Sequence, residues 1–299
     1  MNDPDGRTQT VAITGASGLL GRHLCDYFRA KGWRVRALVR NITQYPFTED
    51  GIDLYHCDLP DTIDVKSIEA ADSLVHCAYM TRFTSLKQAE QVNVVGTRRV
   101  YEAARSAGVK RFVFVSTVSA SASAKSYYGR SKHSLESTMD ASRDLIVRPG
   151  LVLASDGGLF CRIAEQVRSL PVIPVFSGGR QVLNTVHIDD LCSVFGWAME
   201  TGICGVITVA ESLGITMRDL LREVMLRLGR RKPIVSVPGR PCVLVLQLAE
   251  HIGLRLPVSS ENLKGLLDMD ATGLFPTDDI KRSGIRIRHA AESIKELIS

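Results

Sequence analysis

The sequence Val11-Ala-Ile-Thr-Gly15-Ala-Ser-Gly18-Leu-Leu-Gly21-Arg22 runs from an apolar segment through three glycines into a helical pattern. Apolar residues recur at helical spacing over 19–31, and Gly32 closes that stretch. A strand, a glycine turn and a helix in this order can cradle a phosphate. Gly15 permits the tight turn, Gly18 lets the backbone approach a pyrophosphate, and Gly21 lets the helix pack on the strand. The helix N-terminus then offers free N–H groups and a positive dipole end to the anion. Ser17, Leu19, Leu20 and Arg22 lie on the same loop and first helical turn.

Outward from this loop, β-like segments alternate with helical ones. Strands are expected at Arg34–Val39, 52–55, Ser73–His76, Arg111–Val115 and 145–147, and helices at 91–107 and 130–141. Alternation of this kind predicts an α/β fold, a doubly wound parallel sheet with helices on both faces and the strand at Val11 near its centre. After Pro149 glycine and proline punctuate 149–179. Helices are expected at 187–200, 217–228, 243–252 and from Ala290. Clear strands are fewer there, which predicts a smaller C-terminal lobe.

Composition narrows the function classes. The 299 residues are 45% hydrophobic and 23% charged, an ordinary balance for a globular enzyme. With 37 basic and 32 acidic residues the net charge is only +5, and no basic run is dense enough for a nucleic-acid footprint. The seven cysteines, Cys25, Cys57, Cys77, Cys161, Cys192, Cys204 and Cys242, form no C-x-x-C pair and read as small core residues of a reduced, cytoplasmic protein. Residues 1–10 lack the basic start and apolar centre of a signal peptide, and the apolar run 242–248 is too short to span a bilayer. No His/Cys/Asp cluster has metal-ligand spacing.

Further on, Tyr128-Gly-Arg-Ser-Lys132 sets a phenol and an ammonium four residues apart, on one face of a helix. A nearby cation stabilises phenolate and would lower the tyrosine pKa from about 10. Such a tyrosine can exchange a proton with a substrate hydroxyl. Tyr127 lacks the matching distance to Lys132.

The glycine spacing and the Tyr-Lys pair together resemble the extended short-chain dehydrogenase/reductase family, also called the epimerase/dehydratase family, and the likeness continues along nearly the whole chain. It implies a Rossmann cofactor domain over 7–160, to which 182–203 returns, and a mainly substrate-binding lobe over 161–299. It implies Thr117, Tyr128 and Lys132 as catalytic residues, with Ser116 and Ser119 as alternative hydroxyls. Besides the glycine loop, it implies cofactor contacts at Asp58, Leu59, Cys77, Ala78 and Pro149, as well as at Tyr128 and Lys132. Asn93, within Asn93-Val-Val-Gly96-Thr97, reads as a positioning or a structural residue.

An NAD-preferring site normally ends its second strand with an acid that accepts from the ribose 2′-OH. Val39 stands there, followed by Arg40. Arg40 and Arg22 would suit a 2′-phosphate, so NADP(H) is favoured, with NAD(H) left open. Sugar-nucleotide members carry an Asn where Leu151 stands and an Arg where Leu183 stands, and 269–273 supplies no late second Arg, although Arg180 is close to the first gap. The pattern is closer to the atypical branch that includes relatives of complex I accessory subunits. The expected activity is therefore hydride transfer to or from a ketone or secondary alcohol. The alternatives are a sugar-nucleotide epimerase, dehydratase or 4-ketoreductase, or a non-catalytic NADP(H)-binding sensor or assembly factor. A small-molecule substrate and a homodimer through 91–107 and 130–141 complete the expectation. The landmark Val186-His187-Ile-Asp189-Asp190 should open a helix capped by one of its aspartates, with His187 structural. The leucine-rich run 241–256 could be a core helix, an apolar pocket wall or a partner surface.

Overall fold

The computed structural model describes residues 8–45, 51–83, 85–251, 259–268 and 278–298. The chain runs β1 (Thr10–Thr14), α1 (Leu19–Ala30), β2 (Arg34–Val39), β3 (Ile52–Asp58), β4 (Thr62–Ile63), β5 (Ser73–His76), α2 (Leu86–Glu90), a π-helical turn (Gln91–Val95), α3 (Gly96–Ser106), β6 (Arg111–Val115), α4 (Tyr127–Glu136) and β7 (Leu145–Pro149). It continues with β8 (Leu151–Leu153), α5 (Gly158–Ser169), β9 (Ile173–Phe176), β10 (Val182–Leu183), β11 (Thr185–His187), α6 (Ile188–Thr201), β12 (Gly205–Val209), β13 (Ile215–Thr216), α7 (Met217–Arg227), β14 (Ile234–Val237), α8 (Gly239–His251), α9 (Ser260–Leu267), α10 (Asp278–Ser283) and α11 (Ala290–Leu297). Two compact units divide it. The first holds the residues up to Ser116, Ser134–Val147 and Phe195–Ile207, and the second Thr117–His133, Arg148–Val194 and the residues from Thr208 onward.

The first unit is built on an eight-stranded sheet ordered β12-β7-β6-β5-β1-β2-β3-β4. Pairings from β3 through β2, β1, β5 and β6 to β7 are all parallel. The strand order reverses between β1 and β5, the switch point at which doubly wound sheets bind their ligands. Every residue of β1 is buried, as expected of a parallel strand covered on both faces. Phe112 and Phe114 of β6, Leu74 of β5, Leu38 of β2 and Val100 and Ala104 of α3 form one cluster on the sheet. Each large apolar side chain so buried contributes roughly 1.5–3 kcal/mol.

The stretch 91–107 is not one regular helix. A π turn over Gln91–Val95 interrupts it, and there the buried Asn93 brackets Met80, accepting from its N–H at 2.6 Å and donating to its carbonyl at 3.0 Å. The helix expected over 130–141 begins at Tyr127 and ends at Glu136. Asp140 accepts from the Ser142 N–H and hydroxyl, a local turn that competes with further helix.

The second unit has its own core, in which Phe160, Ile163 and Val167 of α5, Val175 of β9 and Leu220 and Val224 of α7 meet Ala290 and Ile294 of α11. Its strands pair in short couples: β8 with β11, β9 with β14, and β10 with β13. Glu211 ties in the C-terminal helix. It accepts from Thr185 Oγ1 at 2.8 Å and from the Ala290 N–H at 3.1 Å, where the dipole of α11 favours a carboxylate. The aspartates after His187 do not cap α6 as expected. His187 Nδ1 accepts from the Asp189 N–H at 3.2 Å, while Asp190 accepts from the Arg288 backbone at 2.9 Å and its Nε at 3.0 Å. Residue 252 of the helix expected over 243–252, and the stretch 269–273, lie outside the described residues.

Candidate active site

In the first unit the glycine loop is held by backbone geometry. Gly15 has φ +66°, and a Cβ there would meet the Ala78 N and Cα at 2.7 Å and the Cys77 carbonyl carbon at 3.0 Å. Gly15 thus lies directly against Cys77 and Ala78. Gly18 stands at the N-cap position of α1, its N–H donating to the Gly15 carbonyl at 2.9 Å. The helix begins at Leu19, two residues before Gly21. At Gly21 a Cβ would lie 2.2 Å from the Gly15 carbonyl oxygen. The first turn of α1 carries no acid, so nothing there repels an anion. A tight glycine turn that runs into an acid-free helix N-terminus fits a dinucleotide pyrophosphate.

Around this loop Ser17 and Gly18 are exposed, and Leu19, Leu20 and Arg22 are half-buried. Arg40 follows β2, exposed and with no hydrogen bond or ion pair among the described residues. Arg36, by contrast, is committed. Its guanidinium donates to the carbonyls of Lys66, Ser67 and Glu69 and lies over the Tyr55 ring. Asp58 ends β3 in the open, and Leu59 is buried with its side chain against Gly96.

Below the loop runs a buried polar chain. The Ala78 N–H donates to Thr14 Oγ1 at 3.3 Å, and Thr14 Oγ1 is 2.7 Å from His76 Nδ1. His76 Nε2 is 2.9 Å from Thr97 Oγ1, whose hydroxyl donates to the Asn93 carbonyl at 2.5 Å. With the Thr97 proton committed to the Asn93 carbonyl, His76 Nε2 donates to Thr97 Oγ1. Phe112 and Phe114 stack on the ring, 6.1 and 6.2 Å between centroids.

In the second unit the hydroxyl, phenol and ammonium are on adjoining segments. Thr117 follows β6, and its hydroxyl hydrogen-bonds the Tyr128 phenol. Thr117 Oγ1 also accepts from the Ser119 N–H at 3.2 Å, which orients it. Of the alternative hydroxyls, Ser116, in the first unit, donates to Glu136. Lys132 is one helical turn beyond Tyr128 and only 3% exposed. Ser126 starts the helix, its Oγ accepting from the Gly129 N–H at 3.2 Å, and Arg130 donates back to the Ala124 and Lys125 carbonyls. A Cβ on Gly129 would meet the Ser119 carbonyl oxygen at 2.5 Å, so the serine-rich loop folds directly over the helix start.

Burial pushes the Tyr128 phenol above its ordinary pKa, and the Thr117 hydrogen bond offsets this in part. The direction is opposite to the lowering expected from Lys132, because taking the phenolate out of water dominates. Pro149 is buried, and its carbonyl accepts from the Val118 N–H at 3.1 Å. The Cys25 thiol is pushed up to about 12 and Cys57 to about 11 by burial, which makes both poor nucleophiles. Cys77, Cys161, Cys204 and Cys242 are half-buried, so only Cys25, Cys57 and Cys192 belong to the core. His187, Asp189 and Glu296 bring potential ligand atoms within 4.8 Å of one another, but Arg288 already donates to Glu296 at 2.6 Å.

Sequence reasoning missed Glu136 and Glu211. Glu136 stands eight residues after Tyr128, a spacing that continues the Tyr128–Lys132 face and was a usable signal. Nothing in the sequence marked Glu211. Leu183, in the place of the diphosphate arginine, is 3% exposed. Arg180 instead lines a cleft of about 580 Å³ with Arg218, Arg222 and Asp219.

Residues 11–209 match the NAD dependent epimerase/dehydratase family. The chain belongs to that family. It is accordingly an NAD(P)-dependent enzyme of the oxidoreductase, epimerase or dehydratase type. It is 30% identical over 235 residues to a ceramide reductase of Caulobacter vibrioides, covering 76% of this chain and 73% of that protein. A dTDP-4-dehydro-6-deoxy-D-allose reductase of Streptomyces bikiniensis is 25% identical over 280 residues, covering 78% and 85% respectively. In fold the chain is similar to a UDP-N-acetylglucosamine 4-epimerase from Methanobrevibacter ruminantium, solved with UDP-N-acetylmuramic acid, with a TM-score of 0.75 over 97% of both chains at 13% identity. No helix among the described residues is long and apolar enough to cross a membrane.

Proposed function

We propose that this protein is an NADP(H)-dependent reductase of a ketone, with Tyr128 as proton donor. The hydrogen bond between Thr117 and Tyr128, one turn from the buried Lys132, carries the reading. Reduction needs a hydride at the carbonyl carbon, supplied by the reduced nicotinamide when bound, and one proton at the oxygen. Tyr128 gives that proton, and Thr117 holds the oxygen beside it. Lys132 restores charge balance as the phenolate forms and binds the nicotinamide ribose. Gly15, Ser17, Gly18, Leu19, Leu20 and Gly21 hold the pyrophosphate, Asp58 and Leu59 the adenine, and Cys77, Ala78 and Pro149 line the cofactor. Arg22 and Arg40 take the 2′-phosphate. The Arg40 guanidinium, without a partner among the described residues, and Val39 in place of an acid support NADP(H) over NAD(H).

The ceramide reductase relative supports a lipid-type ketone as substrate. Leu151 and the buried Leu183 count against a nucleoside diphosphate. Arg180, in its cleft with Arg218 and Arg222, favours the sugar-nucleotide alternative. Calorimetric titration with UDP and dTDP tests that alternative, since either nucleotide should bind if it holds. A cytoplasmic homodimer through 91–107 and 130–141 completes the reading; sedimentation velocity and localisation of the tagged chain test it.

Tyr128→Phe should lower turnover by roughly 10²–10⁴-fold and leave NADPH binding unchanged. Retained turnover in that variant would sink the proposal. In parallel titrations NADPH should bind more tightly than NADH, and the reverse preference would overturn the cofactor assignment.

A further inference from the structure

The described surface has one element with several large exposed apolar side chains. On α8, Leu244 is 68%, Val245 64% and Leu248 67% exposed, whereas no other described element has more than one such residue. At 100° per residue Pro241, Leu244, Val245 and Leu248 fall on one stripe, with Arg240 and His251 along its edge. The acid of this helix, Glu250, lies off the stripe and accepts from the Ser260 N–H and hydroxyl at 2.7 and 2.6 Å. Among the described residues of the helix, the face is therefore apolar with the Arg240 guanidinium at its edge and no carboxylate.

This helix is coupled to the start of the candidate catalytic helix, which lies in the same unit. It packs along α9, with the Glu250–Ser260 bonds at one end and Gly239 against the Leu267 side chain at the other. In turn α9 holds the segment before Tyr128: Glu261 accepts from the Tyr127 N–H at 2.6 Å, and Asp268 accepts from the Lys125 N–H at 2.8 Å. The exposed stripe is thus one helix away from the start of α4.

We propose that the outer face of α8 docks the protein on an anionic lipid bilayer, from which its ketone substrate is drawn. This rests on the reductase reading above for the substrate, but not for the docking. An apolar stripe with a cationic edge is complementary to acyl chains beneath anionic headgroups. A soluble sugar nucleotide would need no such face, and a protein partner would more usually meet a mixed polar rim.

Two measurements on the full chain separate the claims. The first is co-sedimentation with vesicles of phosphatidylcholine alone and with phosphatidylglycerol added. The chain should bind the mixed vesicles. Leu244→Gln combined with Leu248→Gln should weaken that binding by at least about tenfold, and Arg240→Gln should weaken it by about fivefold on the anionic vesicles only. Circular dichroism of each variant should match the parent. The second is turnover of a water-soluble short-chain ketone, which these variants should leave unchanged. Absence of vesicle binding, or binding that the leucine variants do not weaken, would overturn the docking proposal whatever the turnover. A fall in oligomer mass with unchanged vesicle binding would assign the face to a second copy instead. Vesicle binding without any ketone turnover would sink the reductase reading and leave the docking intact.

Discussion

Tyr128 holds its proton more tightly than a free phenol because the cost of burying a phenolate exceeds what the Thr117 hydroxyl returns. If Tyr128 is the proton donor proposed above, it is protonated and ready for reduction before substrate arrives. Difference titration of tyrosinate absorbance, parent minus Tyr128→Phe, should therefore place its midpoint above the ordinary value of 10 in the cofactor-free protein. A midpoint below 10 would mean that Lys132 outweighs burial. The neighbouring hydroxyls should separate cleanly. Thr117→Val should lower turnover by about tenfold or more through loss of a hydrogen bond to the reacting group. Arg40 belongs to the same scale, since an exposed guanidinium with no partner among the described residues costs little to redirect. Arg40→Ala should weaken NADPH by about tenfold and NADH hardly at all, read by calorimetry.

Among the elements, the β1–α1 junction tolerates least. A methyl group at position 21 would lie 2.2 Å from a backbone oxygen and 2.8 Å from the Ala16 Cα, and neither can swing away. Gly21→Ala should cost at least about 1–3 kcal/mol by urea unfolding and weaken the cofactor as the turn opens. The sequence alone exposed this junction, because glycine spacing, strand and helix are all local patterns. It also exposed α4 and its Tyr–Lys face, though not where the helix ends. That end depends on Asp140 choosing a turn with Ser142, a competition that apolar periodicity does not register. The π turn at Asn93 was equally hidden, since it serves the Met80 backbone thirteen residues earlier in the chain.

Across the molecule, buried ionisable groups set the response to pH and mutation. Asp144 has no exposed side-chain surface; it accepts from the Tyr101 hydroxyl at 2.8 Å and from Arg105. Asp144→Ala should cost about 3 kcal/mol, measured by urea unfolding. His187 is also buried. Burial first, and the Arg288 cation second, hold its pKa below 6.5. The unfolded chain then binds the proton more readily than the folded one, so stability is intact above about pH 6.5 and declines as the pH falls below it. The melting temperature should drop on acidification through that window, and less steeply in His187→Gln.

The sequence by itself determined the strand-loop-helix, the parallel sheet built around it, the missing acid at Val39 and the spacing of Tyr128 and Lys132. Each of these is written in residues close together in the chain, where periodicity and steric rules act directly. Only the tertiary structure decided that Thr117 bonds the phenol while Ser116 goes to Glu136, that Arg36 is spent on carbonyls while Arg40 stays exposed, and that Glu211 anchors the last helix. Those outcomes depend on which distant groups meet in a dry interior, where a hydrogen bond or a charge must find its partner or pay for its burial.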